Sequence, residues 1–230
     1  MRCLVIIPAY NEGENIKRVV ENLIVNYPQY DYVVVNDGSK DKTAEICRDE
    51  NYNFLDLPMN LGLSGAVQAG MKYAVHNGYN AVLQFDGDGQ HKAEYIEVLE
   101  KEMLDGNADI VIGSRFVSEK KPRTLRMFGS RVISSIIKLT TGQRITDPTS
   151  GMRLFGKKVL HEFAENMNYG PEPDTISYLI KKKHIRVKEV QVEMDERTAG
   201  ESYLNLIRSI EYMILQCFSI IFIQQFRKEK

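Results

Sequence analysis

Residues 3–38 read CLVIIPAYNEGENIKRVVENLIVNYPQYDYVVVNDG, and this stretch decides the fold class. The runs CLVII and YVVV are unbroken apolar segments, as in the strands of a parallel sheet that is covered on both faces. Between them, apolar residues recur at the spacing of one helix face: Ile16, Val19, Val20, Leu23, Ile24 and Tyr27. A strand, a helix and a second strand in this order predict a right-handed βαβ unit.

The same alternation continues through the first half of the chain. Further strands are predicted over residues 53–57, 81–85 and 109–113. A helix is predicted after an N-cap at Ser64, and its apolar face consists of Ala66, Val67, Gly70, Met71, Ala74 and Val75. We therefore predict an α/β fold with a Rossmann-like, mostly parallel sheet flanked by helices, which binds ligands outside the carboxyl ends of its strands.

The composition of the 230 residues is that of an ordinary globular protein, with 43% hydrophobic and 27% charged residues. This length supports one large domain or two fused halves. A net charge of -1 gives no overall field that would favour nucleic acid, so we predict no nucleic-acid partner. The cysteines Cys3, Cys47 and Cys217 lack metal-ligand spacing, and the chain begins with a strand rather than a signal peptide, so we expect a cytoplasmic protein.

Polar loops follow four of the predicted strands: PAYNEGEN, NDGSKDKT, DGDGQH and GSRF. Asp, Asn, Gly and Ser are good turn formers, so a structural role explains any single loop equally well. Because the carboxyl ends of parallel strands meet at one edge of a sheet, the four loops together indicate a binding site.

The loop DGDGQH carries two carboxylates one residue apart, Asp86 and Asp88. At the end of an extended segment, residues two apart project to the same side, so the two carboxylates repel each other unless a cation lies between them. Together with the Gln90 amide they form an oxygen-only set that suits Mg²⁺ or Mn²⁺. A calcium EF-hand is excluded because His91 occupies the position that requires glycine.

The metal site predicts a phosphorylated ligand, because magnesium held by few protein groups completes its shell with water and substrate phosphate. The sequence contains neither G-x-x-x-x-G-K-[ST] nor G-x-G-x-x-G, so the usual ATPase and dinucleotide sites are excluded. A metal-bridged nucleoside diphosphate remains as the ligand. A nucleotidyltransferase is disfavoured, because PAYNEGEN lacks the basic glycine-rich loop that is usual in those enzymes. A non-catalytic nucleotide-sugar binding module is disfavoured as well, because it would have lost part of the metal set or of the arginines Arg115, Arg126 and Arg131.

Six segments in order resemble glycosyltransferase family 2: VIIPAYNEGENI, VVVNDGSKDKT, NLGLSGAVQAG, DGDGQH, GSRF and DPTSGMRLF. The likeness extends over residues 3–202 and is greatest to the dolichyl- or polyprenyl-phosphate sugar synthase branch. It implies a GT-A fold and an inverting transfer of a hexose from a UDP- or GDP-hexose to a polyprenyl phosphate. It also implies two fused halves, residues 1–115 for the donor and residues 116–230 for the acceptor, the latter with a C-terminal apolar helix.

The resemblance assigns the donor site residue by residue. The positions that match the nucleotide-binding segments are Pro8, Ala9, Tyr10, Glu12, Asp37 and Gly65. Asp86, Asp88 and Gln90 would hold the metal on the diphosphate, which makes the two carboxylates catalytic. Two departures leave the donor base and sugar open: Leu63 stands where the family often has a basic residue, and Asn36 replaces a frequent aspartate.

The resemblance likewise assigns the acceptor site. Residues predicted to contact the acceptor are Arg115, Arg126, Arg131, Ser150, Arg197 and Ser202, and the first three also count as catalytic. Guanidinium groups suit phosphate oxygens. The neighbouring Lys120, Lys121 and Arg123 are interpreted as a solvated face. In the loop that matches R-x-x-G-x-S-K, Tyr203 stands where lysine is usual.

The nature of the acceptor has two alternatives. A phosphate acceptor needs no strong general base, because its second pKa of about 6 leaves it largely ionised at neutral pH. A sugar hydroxyl, in a polysaccharide or cell-surface glycan, would need a carboxylate base, and Glu172 and Asp174 are candidates unless they only cap a helix. We favour the phosphate acceptor.

The second half contains fewer patterned segments. Helices are predicted at 125–141 and 156–166, and residues 184–194 predict one or two short strands. Asp147 and Arg153, in DPTSGMRLF, either shape the site or form a structural ion pair. Residues 212–226 are uncharged but shorter than the roughly 20 residues of a spanning helix. They predict a buried or dimerising helix, or an interfacial one that holds the enzyme at the inner face of the cell membrane.

Overall fold

The computed structural model describes residues 1–166, 170–195 and 206–223, and within these ranges the side chains of residue 126 and of residues 206–208 are not described. The described strands are β1 Cys3–Ala9, β2 Asp31–Asn36, β3 Phe54–Asp56, β4 Ala81–Gln84, β5 Ile110–Ser114, β6 Arg153–Gly156 and β7 Val187–Gln191. The described helices are α1 Ile16–Asn26, α2 Thr43–Asp49, α3 Gly62–His76, α4 Tyr95–Asp105, α5 Leu125–Thr141, α6 Lys157–Glu165, α7 Pro173–Lys183 and α8 Leu206–Phe218.

The seven strands form one sheet in the order β3-β2-β1-β4-β6-β5-β7. All neighbours are parallel except β6, which runs antiparallel between β4 and β5. The sheet thus contains strands from both predicted halves of the chain. The predicted α/β class with a mostly parallel sheet is confirmed.

Both faces of the sheet are covered, as the unbroken apolar run of β1 requires. Leu4 and Ile6 pack into one core with side chains of α3, α5, α6 and α7. Val5 and Ile7 point to the opposite core, which α1 and α4 cover. Alternate residues of the same strand therefore serve the two hydrophobic layers.

Two sequence predictions about local structure are wrong. Ser64 does not cap α3, which begins at Gly62 after Leu61, and the Leu61 N–H donates to Asp37 Oδ1 at 2.7 Å. The fourth strand ends at Gln84, and the chain then turns through Gly89, whose φ is +77°. Asp86 and Asp88 therefore lie in a turn rather than on one side of an extended segment.

The second half agrees with the sequence in its helices and differs in its strands. The helices predicted at 125–141 and 156–166 are α5 and α6, and the Thr124 side chain caps α5 by accepting the Met127 N–H at 3.3 Å. β7 lies in the segment predicted to hold one or two strands. Strand β6 was not predicted, because its four residues continue a polar loop and carry a buried arginine.

The C-terminal part of the described chain packs on α5. Helix α8 continues into a π-helical segment, Ser219–Ile223. A Cβ atom at Gly129 of α5 would overlap the sulfur of Met213 on α8, so the glycine leaves the space that the Met213 side chain occupies between the two helices. Within the described ranges, no helix is both long and apolar enough to cross a membrane.

Candidate active site

A cavity of about 400 Å³ opens beyond the carboxyl end of β4. It lies between the start of α3, the turn after β4, the segment before β6, the start of α7 and the inner face of α8. Its walls consist of Leu61, Gly62, Leu63, Ser64, Gln84, Asp86, Thr149, Ser150, Gly151, Arg153, Pro171, Glu172, Ser209, Tyr212 and Met213. Asp86 and Ser150, which the sequence assigned to the metal and acceptor sites, line this cavity, and so do Glu172, the candidate base, and Arg153.

The predicted metal loop is held by local hydrogen bonds. The Asp86 N–H donates to His91 Nδ1 at 2.9 Å, so the buried His91 fixes the loop. Asp88 Oδ1 accepts the Gln90 N–H at 3.0 Å. The Gln90 side-chain Nε2 donates to the Asp195 carbonyl at 3.3 Å, which leaves its Oε1 as the end that can act as a metal ligand.

The donor set of this loop fits a hard divalent cation. It offers carboxylate oxygens of Asp86 and Asp88 and one amide oxygen of Gln90, the ligand types that Mg²⁺ and Mn²⁺ prefer. A Cβ atom at Gly151 would overlap Asp86 Oδ2, so the absence of a side chain there keeps room around this carboxylate. In the described part of the chain, no group of three or more His, Cys, Asp and Glu side chains could hold a metal. Water and phosphate oxygens would therefore complete the shell.

Gln84 is a buried residue of the cavity wall that the sequence analysis missed. Its Nε2 donates to Asp86 Oδ1 at 3.2 Å, and its Oε1 has no hydrogen-bond partner among the described residues. The hydrogen bond orients one carboxylate of the predicted metal set. A signal was present in the sequence, since Gln84 is the one polar residue in the apolar run AVLQF.

The loops after β1 and β2 lie next to the metal loop rather than in the cavity. A Cβ atom at Gly87 would lie 3.0 Å from the Pro8 carbonyl oxygen and 3.5 Å from the Ala9 Cβ, so the turn packs on the end of β1. The buried Asp37 donates its N–H to the Ala9 carbonyl at 2.9 Å and accepts the Leu61 N–H. The predicted nucleotide segments are thus joined to the cavity rim at the start of α3.

The remaining predicted donor residues lie on the same edge. The Glu12 N–H donates to Thr43 Oγ1 at 2.9 Å, and its carboxylate accepts the Asn15 amide at 2.8 Å. Tyr10 is half-buried beside them, and Gly65 follows the cavity residue Ser64. None of these predicted donor residues lines the cavity.

The structure explains why residue 36 is asparagine rather than the aspartate that is frequent in the family. Its side-chain Nδ2 donates to Asp56 Oδ1 at 2.6 Å across the β2–β3 pair. An aspartate at this position would place a second carboxylate against Asp56, which like-charge repulsion disfavours. The amide is the residue that fits this neighbour.

Arg115 is held in a bidentate ion pair. Its Nε lies 2.7 Å from Asp147 Oδ2, and its Nη2 lies 3.0 Å from Asp147 Oδ1. The Asp147 side chain is fully buried, and the backbone N–H groups of Thr146 and Asp147 both donate to the Glu189 carboxylate. The alternative that Asp147 and Arg153 form a structural ion pair is therefore wrong, because Asp147 pairs with Arg115.

Arg153 instead is buried among backbone carbonyls. Its Nε, Nη1 and Nη2 donate to the carbonyls of Ser150, Pro171 and Pro148 at 2.8, 2.6 and 2.7 Å. It stands opposite Gln84 in the antiparallel β4–β6 pair and lines the cavity. A buried positive charge thus forms part of the wall next to Asp86.

The other predicted acceptor residues differ in how they are placed. The Nη2 of Arg131 donates to the carbonyls of Lys121 and Pro122 at 2.6 and 3.1 Å. Lys121 is not solvated as expected: its Nζ donates to Ser130 Oγ at 2.8 Å, and burial lowers its pKa. Arg126 belongs to α5, but its side chain lies outside the described residues, as do Arg197 and Ser202 entirely.

Glu172 and Asp174 connect α7 to the C-terminal helix. Glu172 stands at the N-cap position of α7 without capping it, and its carboxylate accepts a hydrogen bond from the Tyr212 hydroxyl. Burial raises the pKa of Glu172 above its usual value. Asp174 Oδ2 accepts the Ser219 hydroxyl at 2.6 Å. The cavity wall formed by Tyr212 could not be predicted, because the contact spans 40 residues of sequence.

Residues 4–163 match the sequence profile described as Glycosyl transferase family 2. The chain belongs to glycosyltransferase family 2. This confirms the resemblance found in the sequence and identifies the protein as a glycosyltransferase.

Relatives and a solved structure agree with the family. Undecaprenyl-phosphate mannosyltransferase of Micrococcus luteus is 31% identical, over 89% of this chain and 88% of that protein. Dolichyl-phosphate beta-glucosyltransferase ALG5A of Trichomonas vaginalis is 32% identical, over 83% of this chain and 65% of that protein. Glucosyl-3-phosphoglycerate synthase from Mycobacterium tuberculosis, solved with Mn²⁺, UDP-glucose and phosphoglyceric acid, superimposes with a TM-score of 0.71 at 13% identity, over 99% of this chain and 81% of that one. The glycosyltransferase thus has the predicted GT-A fold.

Proposed function

We propose that this glycosyltransferase moves a hexose, with inversion, from a nucleoside-diphosphate sugar to a polyprenyl phosphate. The observation that carries the proposal is the position of Asp86. It belongs to the acidic loop and at the same time forms the wall of a cavity of about 400 Å³ that residues from the second half of the chain close. The names of the two relatives above support a polyprenyl phosphate as the acceptor.

The metal site consists of Asp86, Asp88 and Gln90. A bound Mg²⁺ or Mn²⁺ would neutralise charge on the departing nucleoside diphosphate, a contribution of several kcal/mol to lowering the barrier. Gln84 and His91 hold Asp86 in place through the hydrogen bonds described above. Asp86 therefore keeps its position while the sugar is transferred.

The donor occupies the half formed by residues 1–115. Its base and ribose lie against Pro8, Ala9, Tyr10, Glu12 and Asp37, with Gly65 at the start of α3. Support comes from the turn of the metal loop, which packs on the end of β1, and from Asp37, which links β2 to the cavity rim. UDP- and GDP-hexoses are the donors to test.

The acceptor occupies the half formed by residues 116–230, together with Arg115. Its phosphate binds Arg115, Arg126, Arg131 and Ser150, and Arg197 and Ser202 complete the set. The ion pair with Asp147 fixes the guanidinium of Arg115 at the end of β5, so little side-chain entropy is lost when phosphate binds. No general base is needed, because the phosphate is already ionised.

A sugar hydroxyl is the second candidate acceptor, and one observation favours it. Glu172 lines the cavity, and burial raises its pKa, as expected for a general base. The Tyr212 hydroxyl, which donates to it, gives the same carboxylate a structural role. We therefore keep the phosphate acceptor as the first choice.

The location follows from the acceptor. We place the enzyme in the cytoplasm, in peripheral contact with the inner face of the cell membrane, where a polyprenyl phosphate would present its headgroup. The homo-oligomer that the apolar C-terminal helix predicts stays a prediction.

The test begins with the donor. Thermal unfolding is measured with a panel of UDP- and GDP-hexoses, each with and without Mn²⁺. We expect one donor to raise the midpoint only when the metal is present. The same donor is then incubated in detergent with a polyprenyl phosphate or with an oligosaccharide, and product is followed by mass spectrometry. Transfer to the oligosaccharide alone would select the hydroxyl acceptor, and no stabilisation by any donor would refute the proposal.

A further inference from the structure

Helix α5 exposes apolar side chains along one side. Leu125, Phe128 and Leu139 are exposed, and Leu139 is 86% accessible. At the helical rotation of 3.6 residues per turn, positions i, i+3 and i+14 fall on one side. The opposite side of α5 is buried in the core through Ile133 and Ile137.

The C-terminal helix has a matching side. Ile214 and Phe218, one turn apart on α8, are exposed, and the Phe222 ring lies 5.0 Å from the Phe218 ring, centroid to centroid. Ser209, Tyr212 and Met213 of the same helix line the cavity. One side of α8 therefore faces the proposed reaction site while another side is apolar and open to the surroundings.

The two apolar sides adjoin. Gly129, next to Phe128, allows α5 to pack closely on Met213, next to Ile214. We call this area the α5–α8 surface, which consists of Leu125, Phe128, Leu139, Ile214, Phe218 and Phe222. Large apolar side chains grouped on adjoining helices are uncommon on a monomer that does not use them for binding.

The α5 part of this surface is basic. Residues 120–144 contain no Asp or Glu, although the whole chain carries a net charge of -1. The basic residues in this range are Lys120, Lys121, Arg123, Arg126, Arg131, Lys138 and Arg144. Arg123, which lies just before α5, and Lys138, which is next to Leu139, are both exposed. On α8, Glu211 is an exposed acidic residue. Apolar side chains flanked by basic ones are typical of helices that lie on an anionic membrane surface.

We propose that the α5–α8 surface docks on the surface of an anionic lipid bilayer. The apolar side chains enter the boundary between headgroups and acyl chains, and the basic segment meets lipid phosphates. A second copy of the chain fits this surface less well, because a twofold interface would bring the basic segment of one copy towards that of the other. The inference rests on the proposed function in one respect, namely that a lipid-linked acceptor makes docking useful. It assigns the membrane contact to particular residues.

Flotation of the full chain with vesicles tests the proposal without any donor or acceptor. We expect the wild type to bind vesicles of phosphatidylcholine with phosphatidylglycerol and to bind pure phosphatidylcholine weakly. The double variant Phe128→Ser/Phe218→Ser should bind about tenfold less, because two large apolar side chains no longer enter the bilayer. Arg123→Glu/Lys138→Glu should lose the preference for phosphatidylglycerol, by about fivefold for each charge removed.

Matched controls lie on the other layer of the molecule. Val25 of α1 and Leu104 of α4 are exposed apolar residues, and Val25→Ser/Leu104→Ser should bind vesicles like the wild type. Equal binding of the wild type to both vesicle types, or equal loss in the control, would overturn the proposal. So would a wild-type dimer without vesicle binding that Phe128→Ser/Phe218→Ser converts to a monomer. Vesicle binding without transfer activity in detergent would instead refute the proposed function and leave the docking surface standing.

Discussion

The two halves of the enzyme place their polar side chains by different means. In residues 1–115, the site residues follow strands β1, β2 and β4 directly, and the acidic turn is held in part by its own hydrogen bonds, such as the Gln90 N–H to Asp88. In the predicted acceptor site, polar contacts join residues far apart in the chain, such as Arg115 with Asp147 and Tyr212 with Glu172. The ends of the strands place the first set of residues, whereas the second set depends entirely on how separate elements pack.

The largest expected effect is on the first half. Asp88→Ala removes one of the two carboxylates of the proposed metal set, and we expect kcat to fall at least about a thousandfold, since the metal supplies several kcal/mol. The thermal midpoint without ligand should change little, because Asp88 hydrogen bonds only within its own turn in the described structure. Steady-state kinetics and Mn²⁺ calorimetry measure the two effects.

Asp105→Ala is the control for this prediction. Asp105 is an exposed carboxylate at the end of α4, away from the loop. Activity and Mn²⁺ binding should both equal those of the wild type. If Asp88→Ala also retained its metal affinity and turnover, the acidic loop would not be the metal site.

The second prediction compares the stability contributed by a buried ion pair with that contributed by a more exposed one. Asp147→Asn leaves Arg115 without its carboxylate, and we expect the free energy of unfolding to fall by about 2–3 kcal/mol. Asp109→Asn, in the more exposed pair with Arg186, should cost less than about 1 kcal/mol. Urea unfolding of both variants gives the comparison, and equal losses would show that burial of the pair contributes nothing.

The third effect tests the contact between α5 and α8. Gly129→Ala places a methyl group against Met213, and such overpacking should cost about 1–3 kcal/mol. Because Met213 is also part of the cavity wall, activity should fall along with stability. Adding Met213→Ala to Gly129→Ala removes the overlap, and the double variant should regain part of the loss. Strictly additive effects in thermal unfolding would contradict the close packing.

The smallest expected effect concerns Glu172. With a phosphate acceptor, Glu172→Gln should keep most of kcat, since no base is required, whereas a hydroxyl acceptor predicts near-complete loss. The raised pKa also has a consequence for stability. The protonated form is favoured in the folded state, so the wild type loses stability as pH rises through the folded pKa of Glu172. Relative to the wild type, Glu172→Gln should gain stability at neutral pH and show no gain in acid.

Urea unfolding of the wild type and Glu172→Gln at acidic and neutral pH measures this difference. Glu165→Gln is the control, because Glu165 is an exposed residue at the end of α6. A constant difference between Glu172→Gln and the wild type at all pH values would show that Glu172 titrates normally.

The same contrast explains what could be predicted from the sequence. The parallel strands and their loops are local patterns, so the loops after β1, β2 and β4 were correctly placed at one edge of the sheet, and their metal and nucleotide roles stay predictions. Strand β6 could not be predicted, because it gains its place only by pairing between β4 and β5. Likewise, no periodicity indicates that Asp147 accepts from Arg115 or that Tyr212 closes the cavity. Gln84 was the missed residue with a visible signal, a polar side chain inside a buried strand.

The antiparallel strand β6 also restricts how the protein can be assembled. In the sheet, β6 lies between β4 and β5. In the chain, β6 (Arg153–Gly156) comes about 40 positions or more after both of them. A nascent chain that has emerged only as far as β5 would leave both strands with open edges and unpaired backbone groups. The first 115 residues are therefore not expected to fold as a separable module. If the acceptor half of one family member were exchanged for that of another, the new β6 would have to pair with β4 and β5 of the retained donor half.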